Sequence, residues 1–313
     1  MTVLILSSLS DVHARAVMAA LAKHKVQVEL LDLAEYPTKL TLTLGFEGAS
    51  RQFVLKRPSK GMLDLDAVHA VWWRRPGAFG LPAALRDASH RSLALSEANT
   101  AFQGLYAAMH ALWINSPALD TVAGHKPYQL AVSQSLDLEI PPTRMTSDPE
   151  EARAFWKECD GDVIYKQFLA LPETWAETRK LGKAEIGLSD SAIQIAPVIF
   201  QRHIAAVADL RVTIIGDEIF AASTDVRNLE YATDVRLNLD TKYVAHDLPD
   251  EIADKLRALM RRLGLVYGAI DLRLTEDGRY VFLEINPAGQ FLYIEHSTGQ
   301  PIAAALASRL AAG

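Results

Sequence analysis

The stretch from Gly268 to Pro287 reads GAIDLRLTEDGRYVFLEINP, and it decides how the rest of the chain is interpreted. Two apolar runs, rich in β-branched and aromatic residues, flank Asp277-Gly278, which is a strong short-range signal for a β-hairpin. We take Asp277 and Gly278 as the two central residues of the turn. The register that follows pairs Glu276 with Arg279, Arg273 with Phe282, Asp271 with Glu284, and Ala269 with Asn286.

Four polar residues of this hairpin share one face, because side chains alternate along a strand: Asp271, Arg273, Glu284 and Asn286. Two carboxylates directly opposite each other are destabilising, and a bound cation removes the conflict. Two carboxylates and one amide oxygen suit Mg²⁺, whose other coordination positions are taken by water and substrate phosphates. The residues therefore predict a nucleotide–magnesium site. The alternative is the solvent face of an ordinary hairpin, which is usual for isolated D-x-R and E-x-N patterns.

The segments GAIDLR (268–273) and FLEINPAGQF (282–291) resemble the C-terminal end of ATP-grasp ligases, and in particular the microviridin-type graspetide ligases, which cross-link ribosomal peptides. The resemblance runs over most of the chain and is most specific from about Phe200 to Pro301. It implies an α/β ATP-grasp fold, with an N-terminal open-sheet domain and two lobes that sandwich ATP. It also implies that Asp271, Glu284 and Asn286 hold magnesium, as two ions.

The bulk composition excludes several classes of protein. A chain of 313 residues can bury a large core and form two or three lobes. Its net charge of −6 and its lack of a long basic run argue against a nucleic-acid binder. The single cysteine, Cys159, excludes an internal disulfide. We read the N-terminal segment as a first strand, since it has no basic signal-peptide region, and we find no membrane span. We expect a cytoplasmic protein.

The N-terminal part, residues 1–115, starts with an apolar strand, a helix and a second strand, which predicts an open α/β sheet. A further apolar strand ends at Arg74-Arg75-Pro76. Strand ends are where such sheets bind ligands, and two arginines can clamp a carboxylate or a phosphate. Spacing alone leaves a solvated strand end equally open. A similar aromatic-Arg-Arg-Pro motif in the graspetide ligases implies a substrate role for Arg74 and Arg75.

The central part, residues 116–200, contains two lysines that need anions. Lys126 begins a helix, where the dipole disfavours a cation unless a phosphate binds there. Lys166 lies inside the strand VIYKQF, and a buried ammonium needs a counter-charge. The alternatives are an exposed helix lysine and an edge-strand lysine that faces water. The resemblance assigns both lysines to the phosphates of ATP.

Residues 171–195 look irregular and mixed in charge. In the family, this region closes over the phosphates, and an adjacent hairpin and helix grip the leader peptide. Arg179 and Lys183 are candidate substrate contacts, with a solvated loop as the alternative. The next segment, PVIFQRHI, resembles the connector at which backbone groups meet adenine. Its candidate nucleotide residues are Gln201, Arg202, His203 and Ile204, with His203 ranked lower as a general base.

The C-terminal part, residues 201–313, holds a second predicted hairpin around Gly216-Asp217. Asp209, Arg211 and Thr213 share one of its faces. Arg211 is our candidate for the γ-phosphate and the developing acyl phosphate, because a positioned cation counts most where charge accumulates. Asp209 would orient it or touch the acceptor. The remaining candidates are Arg273 for catalysis, and Arg227 and Asn228 for the substrate carboxylate.

These residues predict a two-step ATP-dependent ligation through an acyl phosphate. The resemblance implies that a ribosomal precursor peptide with its leader is the partner, cross-linked through ω-ester or ω-amide bonds. The first alternative is a ligase that adds free amino acids, like the ribosomal-protein glutamate ligases. The second is a non-catalytic nucleotide-binding protein, expected if the metal set were broken. We expect neither nucleic acid nor membrane as a partner, and leave a homodimer open.

Overall fold

The computed structural model describes residues 1–58, 60–168, 178–188, 190–227 and 241–313. The strands are β1 (Thr2–Leu6), β2 (Gln27–Leu31), β3 (Thr41–Glu47), β4 (Ser50–Arg57), β5 (Gly61–Asp64), β6 (Val68–Trp73), β7 (Leu112–Ile114), β8 (Thr143–Thr146), β9 (Val163–Lys166), β10 (Arg179–Lys180), β11 (Val198–Arg202), β12 (Ala208–Ile215), β13 (Glu218–Asp225), β14 (Val244–Ala245), β15 (Tyr267–Leu274) and β16 (Tyr280–Asn286). The helices are α1 (Val12–Leu21), α2 (Ala88–Ala108), α3 (Pro117–Ala123), α4 (Lys126–Ser135), α5 (Pro149–Glu158), α6 (Lys183–Leu188), α7 (Asp190–Ile195), α8 (Asp250–Leu263), α9 (Leu292–Thr298) and α10 (Ile302–Ala312), with a short 3-10 turn at Leu33–Glu35.

The N-terminal part is built on a parallel sheet of order β2-β1-β6-β7, which confirms the predicted open α/β arrangement. Asp11 caps α1, since its side chain accepts the N–H of His13 at 2.9 Å. The long helix α2 ends at Ala108. The apolar residues that follow form β7 instead, because they extend the sheet beside β6. A second sheet, β3-β4-β5, packs against this domain.

The N-terminal domain and the C-terminal part share one hydrophobic core. Helix α10 lies against α1, and Leu306 of α10 is fully buried with Val17 of α1 and Trp72 of β6. Phe291, directly after the β15–β16 hairpin, is buried in the same cluster. The segment that follows the predicted metal site is therefore packed against the N-terminal domain.

The central lobe is a sheet of order β10-β9-β11-β8 that is covered by α5, α6 and α7. Our expectation of an irregular segment over residues 171–195 was wrong for its described part, which contains β10, α6 and α7. The physical reason is burial. Leu181, Ile186 and Ile193 all pack into the core of this lobe, against Phe155 and Phe200.

The C-terminal lobe is a five-stranded antiparallel sheet of order β14-β13-β12-β15-β16. Helix α8 covers one face and ends at Gly264, which has the left-handed φ of +69° that favours glycine at a helix end. Helices α3 and α4 also pack on this sheet. Helix α4 therefore brings Lys126 to β16. No helix within the described ranges is long and apolar enough to cross a membrane.

The β15–β16 hairpin has the predicted register at the predicted site, although its turn differs. The turn holds three residues, Glu276-Asp277-Gly278, because the glycine adopts a φ of +84° and Thr275 closes onto Arg279. A bulge between Asp271 and Leu272 compensates, with one extra residue on β16. Asp271 faces Glu284 and Ala269 faces Asn286, as predicted. Arg273 faces Val281, so its predicted pairing with Phe282 was wrong.

Candidate active site

The two opposed carboxylates each have a cation beside them. Arg211 lies across from Asp271 in the β12–β15 ladder and donates from Nη1 to Asp271 Oδ1 at 2.8 Å. Lys126, at the start of α4, donates from Nζ to Glu284 Oε2. Both carboxylate side chains remain 34% exposed, which leaves them accessible to solvent and to a ligand.

Glu284 lies in a strongly positive environment. Burial alone would raise its pKa, and the charges of Lys126, Lys166 and Arg211, with the hydrogen bond from Lys126, lower the pKa to about 2. Glu284 is therefore ionised at neutral pH. The nearby positive charge also matches the polyphosphate of a nucleotide.

Lys166 lies on β9, which is an interior strand of the central sheet, so the edge-strand alternative is excluded. Its Nζ donates to Gln201 Oε1 at 3.1 Å, and Gln201 Nε2 donates to Thr143 Oγ1 at 2.9 Å. Gln201 is 1% exposed. Its side chain therefore holds Lys166, which is a different role from the backbone contact with adenine that we predicted for it.

The donor set fits magnesium. Asp271, Glu284 and Asn286 offer only oxygen ligands on one face of the hairpin, and the neighbouring cations suit the phosphates that complete the coordination of such an ion. Within the described part of the chain, no group of three His, Cys, Asp or Glu side chains could hold a metal. The set therefore depends on the amide of Asn286, whose Oδ1 also accepts the N–H of Ala288 at 3.0 Å.

The loop after β16 lies directly against Arg211. Arg211 Nη2 donates to the carbonyl of Gln290 at 3.1 Å. A Cβ at Gly289 would lie 2.3 Å from Ala269 Cβ and 2.7 Å from Arg211 Nη2. Only glycine fits this approach, so the loop and the guanidinium position each other.

Arg74 holds the same loop from the N-terminal domain. It is 1% exposed, and its Nε donates to Asp11 Oδ2 at 3.1 Å. Its Nη1 donates to the carbonyls of Ala288 and Gly289. These bonds give Arg74 a structural role, and its predicted contact with substrate stays a prediction. Arg75 is exposed, at a cleft of about 320 Å³ that Ser8, Ser10 and Gln290 also line.

Sequence reasoning missed His13 and Asp11. His13 binds the end of the same loop, and Asp11 binds both His13 and Arg74. His13 Nε2 accepts the N–H of Phe291 at 3.2 Å, and its Nδ1 lies 3.3 Å from Asp11 Oδ1. Burial acts to raise the pKa of Asp11, but the hydrogen bond from His13 and the charge of Arg74 hold it well below its usual range. A helix-capping aspartate followed by histidine gave no signal of a contact 278 residues away.

A second ion pair lies next to the first on the same face. Arg273 Nε is 3.0 Å from Asp209 Oδ1, and Nη1 donates to the carbonyl of Ile204 at 2.7 Å. His203 sits between Arg273, at 3.4 Å, and Asp162, at 3.3 Å. Burial and the charge of Lys180 lower the pKa of His203. With both ring nitrogens engaged, the geometry gives His203 a structural role.

Two backbone N–H groups of the connector segment, residues 197–204, donate hydrogen bonds to carbonyls of the central lobe. The N–H of Arg202 donates to Pro142 at 2.9 Å and that of His203 to the carbonyl of Asp162 at 2.9 Å. These two N–H groups are already used within the protein. The contact of this segment with adenine stays a prediction, and the Ile204 N–H, which donates to no group in the described ranges, is one backbone group available for it.

A family model described as the MvdD pre-ATP grasp domain matches residues 2–120. The structure is also similar to the crystal structure of macrocyclase MdnC, bound with precursor peptide MdnA, from Microcystis aeruginosa. The two share 30% sequence identity over 100% of both chains, with a TM-score of 0.89. The chain belongs to the ATP-grasp macrocyclase family.

Two further members agree with this assignment. A RiPP-associated ATP-grasp ligase from Chryseobacterium gregarium, in complex with ADP and leader and core peptides, matches at 26% identity and TM-score 0.91, over 99% of this chain and 96% of that one. The ligase PsnB, complexed with minimal precursor, Mg and ADP, matches at 26% identity and TM-score 0.79, over 99% and 97%. Comparison with curated proteins gave no significant match. The chain is an ADP-forming ligase that uses ATP and magnesium.

Four further residues were predicted to contact substrate: Arg179, Lys183, Arg227 and Asn228. Arg179 on β10 and Lys183 at the start of α6 are exposed. Arg227 is exposed and paired with Asp225, its Nε 3.0 Å from Oδ1. Asn228 lies outside the described residues. The substrate roles of these four stay predictions.

The macrocyclase site also contains residues that the sequence did not reveal. The rings of Tyr243 and Tyr293 lie 5.4 Å apart, edge to face. The pKa of Tyr293 is raised, mainly by burial, while Arg211 opposes and Asp271 reinforces the shift, so both charges lie close to its phenol. Gln129 is buried against the outer edge of β16. Its spacing of three residues from Lys126, on one helix face, was the available signal.

Proposed function

We propose that this macrocyclase joins carboxylate side chains of a ribosomal precursor peptide to hydroxyl or amine side chains of the same peptide, forming ω-ester or ω-amide bonds. The observation that supports this most directly is the facing pair of Asp271 and Glu284 among Lys126, Lys166 and Arg211. The match to MdnC over both full chains supports a peptide as the substrate class.

Two magnesium ions are our proposal for the metal count, held by Asp271, Glu284 and Asn286. When bound, they neutralise phosphate oxygens and orient the γ-phosphate for in-line attack. Lys126 and Lys166 would contact the same phosphates. Both ammonium groups already lie near Glu284, so nucleotide phosphates would enter a site whose cations are in place.

The reaction would follow two steps. A peptide carboxylate oxygen attacks the γ-phosphorus of ATP, and ADP leaves, which gives an acyl phosphate. A hydroxyl or amine then attacks the acyl carbon, loses its proton, and expels phosphate. Arg211 is placed to stabilise the developing charge, since burial opposes its charged form but Asp271 raises its pKa and keeps it protonated. Asp209 holds Arg273 and stays our candidate for contact with the acceptor.

The peptide would lie along the cleft that Arg75 borders, where an exposed guanidinium matches a carboxylate. Arg179, Lys183, Arg227 and Asn228 are our further candidates for contact with leader or core. We propose domains at residues 1–115, 116–200 and 201–313. The family model that ends at residue 120 supports the first of these boundaries.

Intact mass tests this proposal. The enzyme, Mg·ATP and a Thr-, Ser-, Lys- and acid-rich core peptide attached to its leader would be incubated together. Loss of one water mass from the peptide per ADP formed is the expected result. With free glutamate present, a gain of one amino-acid residue mass would instead assign the protein to the amino-acid ligases.

A further inference from the structure

Strand β16 is an edge strand of the C-terminal sheet, and it carries the predicted metal ligands Glu284 and Asn286. Residues along an antiparallel edge alternately direct their N–H and C=O toward the neighbouring strand and away from it. Ile285 stands between the two ligands, so its outward backbone groups need a partner beyond the sheet. Further along the edge, the carbonyl of Glu139 accepts the N–H of Phe282 at 2.7 Å.

A single side chain supplies the partner for Ile285. Gln129 Nε2 donates to the carbonyl of Ile285 at 2.8 Å, and Gln129 Oε1 accepts the N–H of Ile285 at 3.1 Å. One amide therefore takes the place of a neighbouring strand at this residue. Gln129 is 2% exposed, so these hydrogen bonds are shielded from competing water.

The orientation of this amide is fixed by a third hydrogen bond. Gln129 Nε2 also donates to the carbonyl of Ala123, at the end of α3, at 2.7 Å. Its nitrogen thus faces two carbonyl oxygens and its oxygen faces one N–H. A carboxylate in this position would place an acceptor against two acceptors, so glutamate cannot replace glutamine here.

Helix α4 therefore holds β16 at two consecutive residues. Lys126 binds the side chain of Glu284, and Gln129, one helical turn later, binds the backbone of Ile285. The distance from the Lys126 ammonium to the carboxylate face is set by this clamp. Any slip of α4 along the edge would move Lys126 relative to Glu284 and Asn286.

We propose that Gln129 is a positioning residue for the magnesium–nucleotide site, acting through the backbone between Glu284 and Asn286. This rests on the proposed metal assignment. Groups that hold metal ligands in place typically contribute 10- to 100-fold in metal affinity when they are removed. We expect Gln129→Met to weaken the Mg²⁺-dependent binding of ADP by about tenfold, and to change ADP binding without Mg²⁺ far less.

The test is calorimetric titration of ADP at a series of Mg²⁺ concentrations, on the full-length enzyme. Ser133→Ala is the matched control, since Ser133 is also buried on α4, with its hydroxyl lacking a partner among the described residues. It should leave the Mg²⁺ dependence unchanged. Equal losses in Gln129→Met and Ser133→Ala, or no loss in Gln129→Met, would overturn the proposal. If Gln129→Met does not fold, Gln129→Asn, which keeps the amide but shortens its reach, replaces it.

A double-mutant cycle separates positioning from general destabilisation. In an Asn286→Ala background, one of the groups that Gln129 positions is already gone, so Gln129→Met should cause a clearly smaller further loss of Mg²⁺-dependent affinity. If the losses caused by Gln129→Met and Asn286→Ala are fully additive, Gln129 does not act through the proposed metal ligands. If wild-type enzyme binds ADP with no Mg²⁺ dependence at all, the metal assignment itself fails, and the role of Gln129 fails with it.

Discussion

At the scale of single residues, two adjacent arginines have opposite environments. Arg74 is buried with its guanidinium bound to Asp11 and to two loop carbonyls, whereas Arg75 is exposed at the cleft. Sequence spacing could not separate them, because the contacts of Arg74 run to residues 214 and 215 positions away. The local motif was informative, but the division of roles depends on tertiary packing.

We expect Arg74→Met to lower the free energy of unfolding by about 3 kcal/mol, since it leaves a partly buried carboxylate with fewer partners. Arg75→Met should change stability by less than about 0.5 kcal/mol, as is usual for an exposed side chain, and should raise the KM for the peptide. Urea unfolding and peptide kinetics measure the two effects. Equal stability of both variants would contradict the structural role of Arg74.

The partly buried carboxyl group of Asp120 supplies a prediction of how stability depends on pH. Burial raises the pKa of Asp120 from 3.8 to about 6, with the Asn115 hydrogen bond opposing. The folded state therefore binds a proton more tightly than the unfolded state, so stability falls as pH rises through this window. Asp120→Asn should raise the free energy of unfolding by about 1–2 kcal/mol at pH 7.5. The gain should shrink by about half or more at pH 4.5; a gain equal at both values would exclude the shift.

At the scale of elements, the hairpin shows what local sequence rules can predict. The Asp-Gly signal and strict alternation were sufficient to place Asp271 opposite Glu284. They did not give the three-residue turn or the bulge, because a bulge depends on packing against neighbouring strands. The longer turn and the bulge shift the register in opposite directions, so Asp271 still faces Glu284. Helix α9 and strands β5, β8 and β10 were not predicted, since short elements carry too few residues for a periodic signal.

Two glycines, Gly278 in the turn of the hairpin and Gly289 in the loop after it, allow a matched comparison. Gly289→Ala would push a Cβ into Ala269 and the Arg211 guanidinium, so we expect ADP formation to fall by about 100-fold through displacement of Arg211. Gly278→Ala, with φ +84° and open space around it, should cost about 1–2 kcal/mol of stability and leave activity within about twofold. Activity in Gly289→Ala equal to that of Gly278→Ala would contradict the packing argument.

At the scale of the whole molecule, the three parts predicted from chain order do not coincide with the groups of elements that share a hydrophobic core. Helices α3 and α4 precede the central sheet in the chain but pack on the C-terminal sheet, and α10 packs on the N-terminal domain. Sequence order was sufficient to predict the N-terminal α/β sheet and the C-terminal β15–β16 hairpin. Chain order could not predict that α3, α4 and α10 pack on sheets from other parts of the chain, because an apolar helix face does not specify which sheet it covers.

The shared core predicts joint unfolding of the N- and C-terminal parts. Leu306→Ala removes a fully buried side chain of α10 and should cost about 2–5 kcal/mol. Ser308→Ala, on the exposed side of the same helix, should be neutral. Calorimetry should show one transition for these two parts, shifted as a whole in Leu306→Ala. A shift confined to one of two separate transitions would show that the core is not shared.

The most direct test of the central claim is peptide- and Mg·ATP-dependent ADP formation by Glu284→Gln. Glutamine keeps the size of Glu284 and an acceptor for Lys126 but removes the anionic oxygen that a magnesium ion needs. Glu276→Gln, an exposed change in the turn of the same hairpin, is the control. We predict a loss of at least about 100-fold for Glu284→Gln, with the folded structure retained, and normal activity for Glu276→Gln. Wild-type turnover by a folded Glu284→Gln enzyme would contradict the metal site, and with it the mechanism.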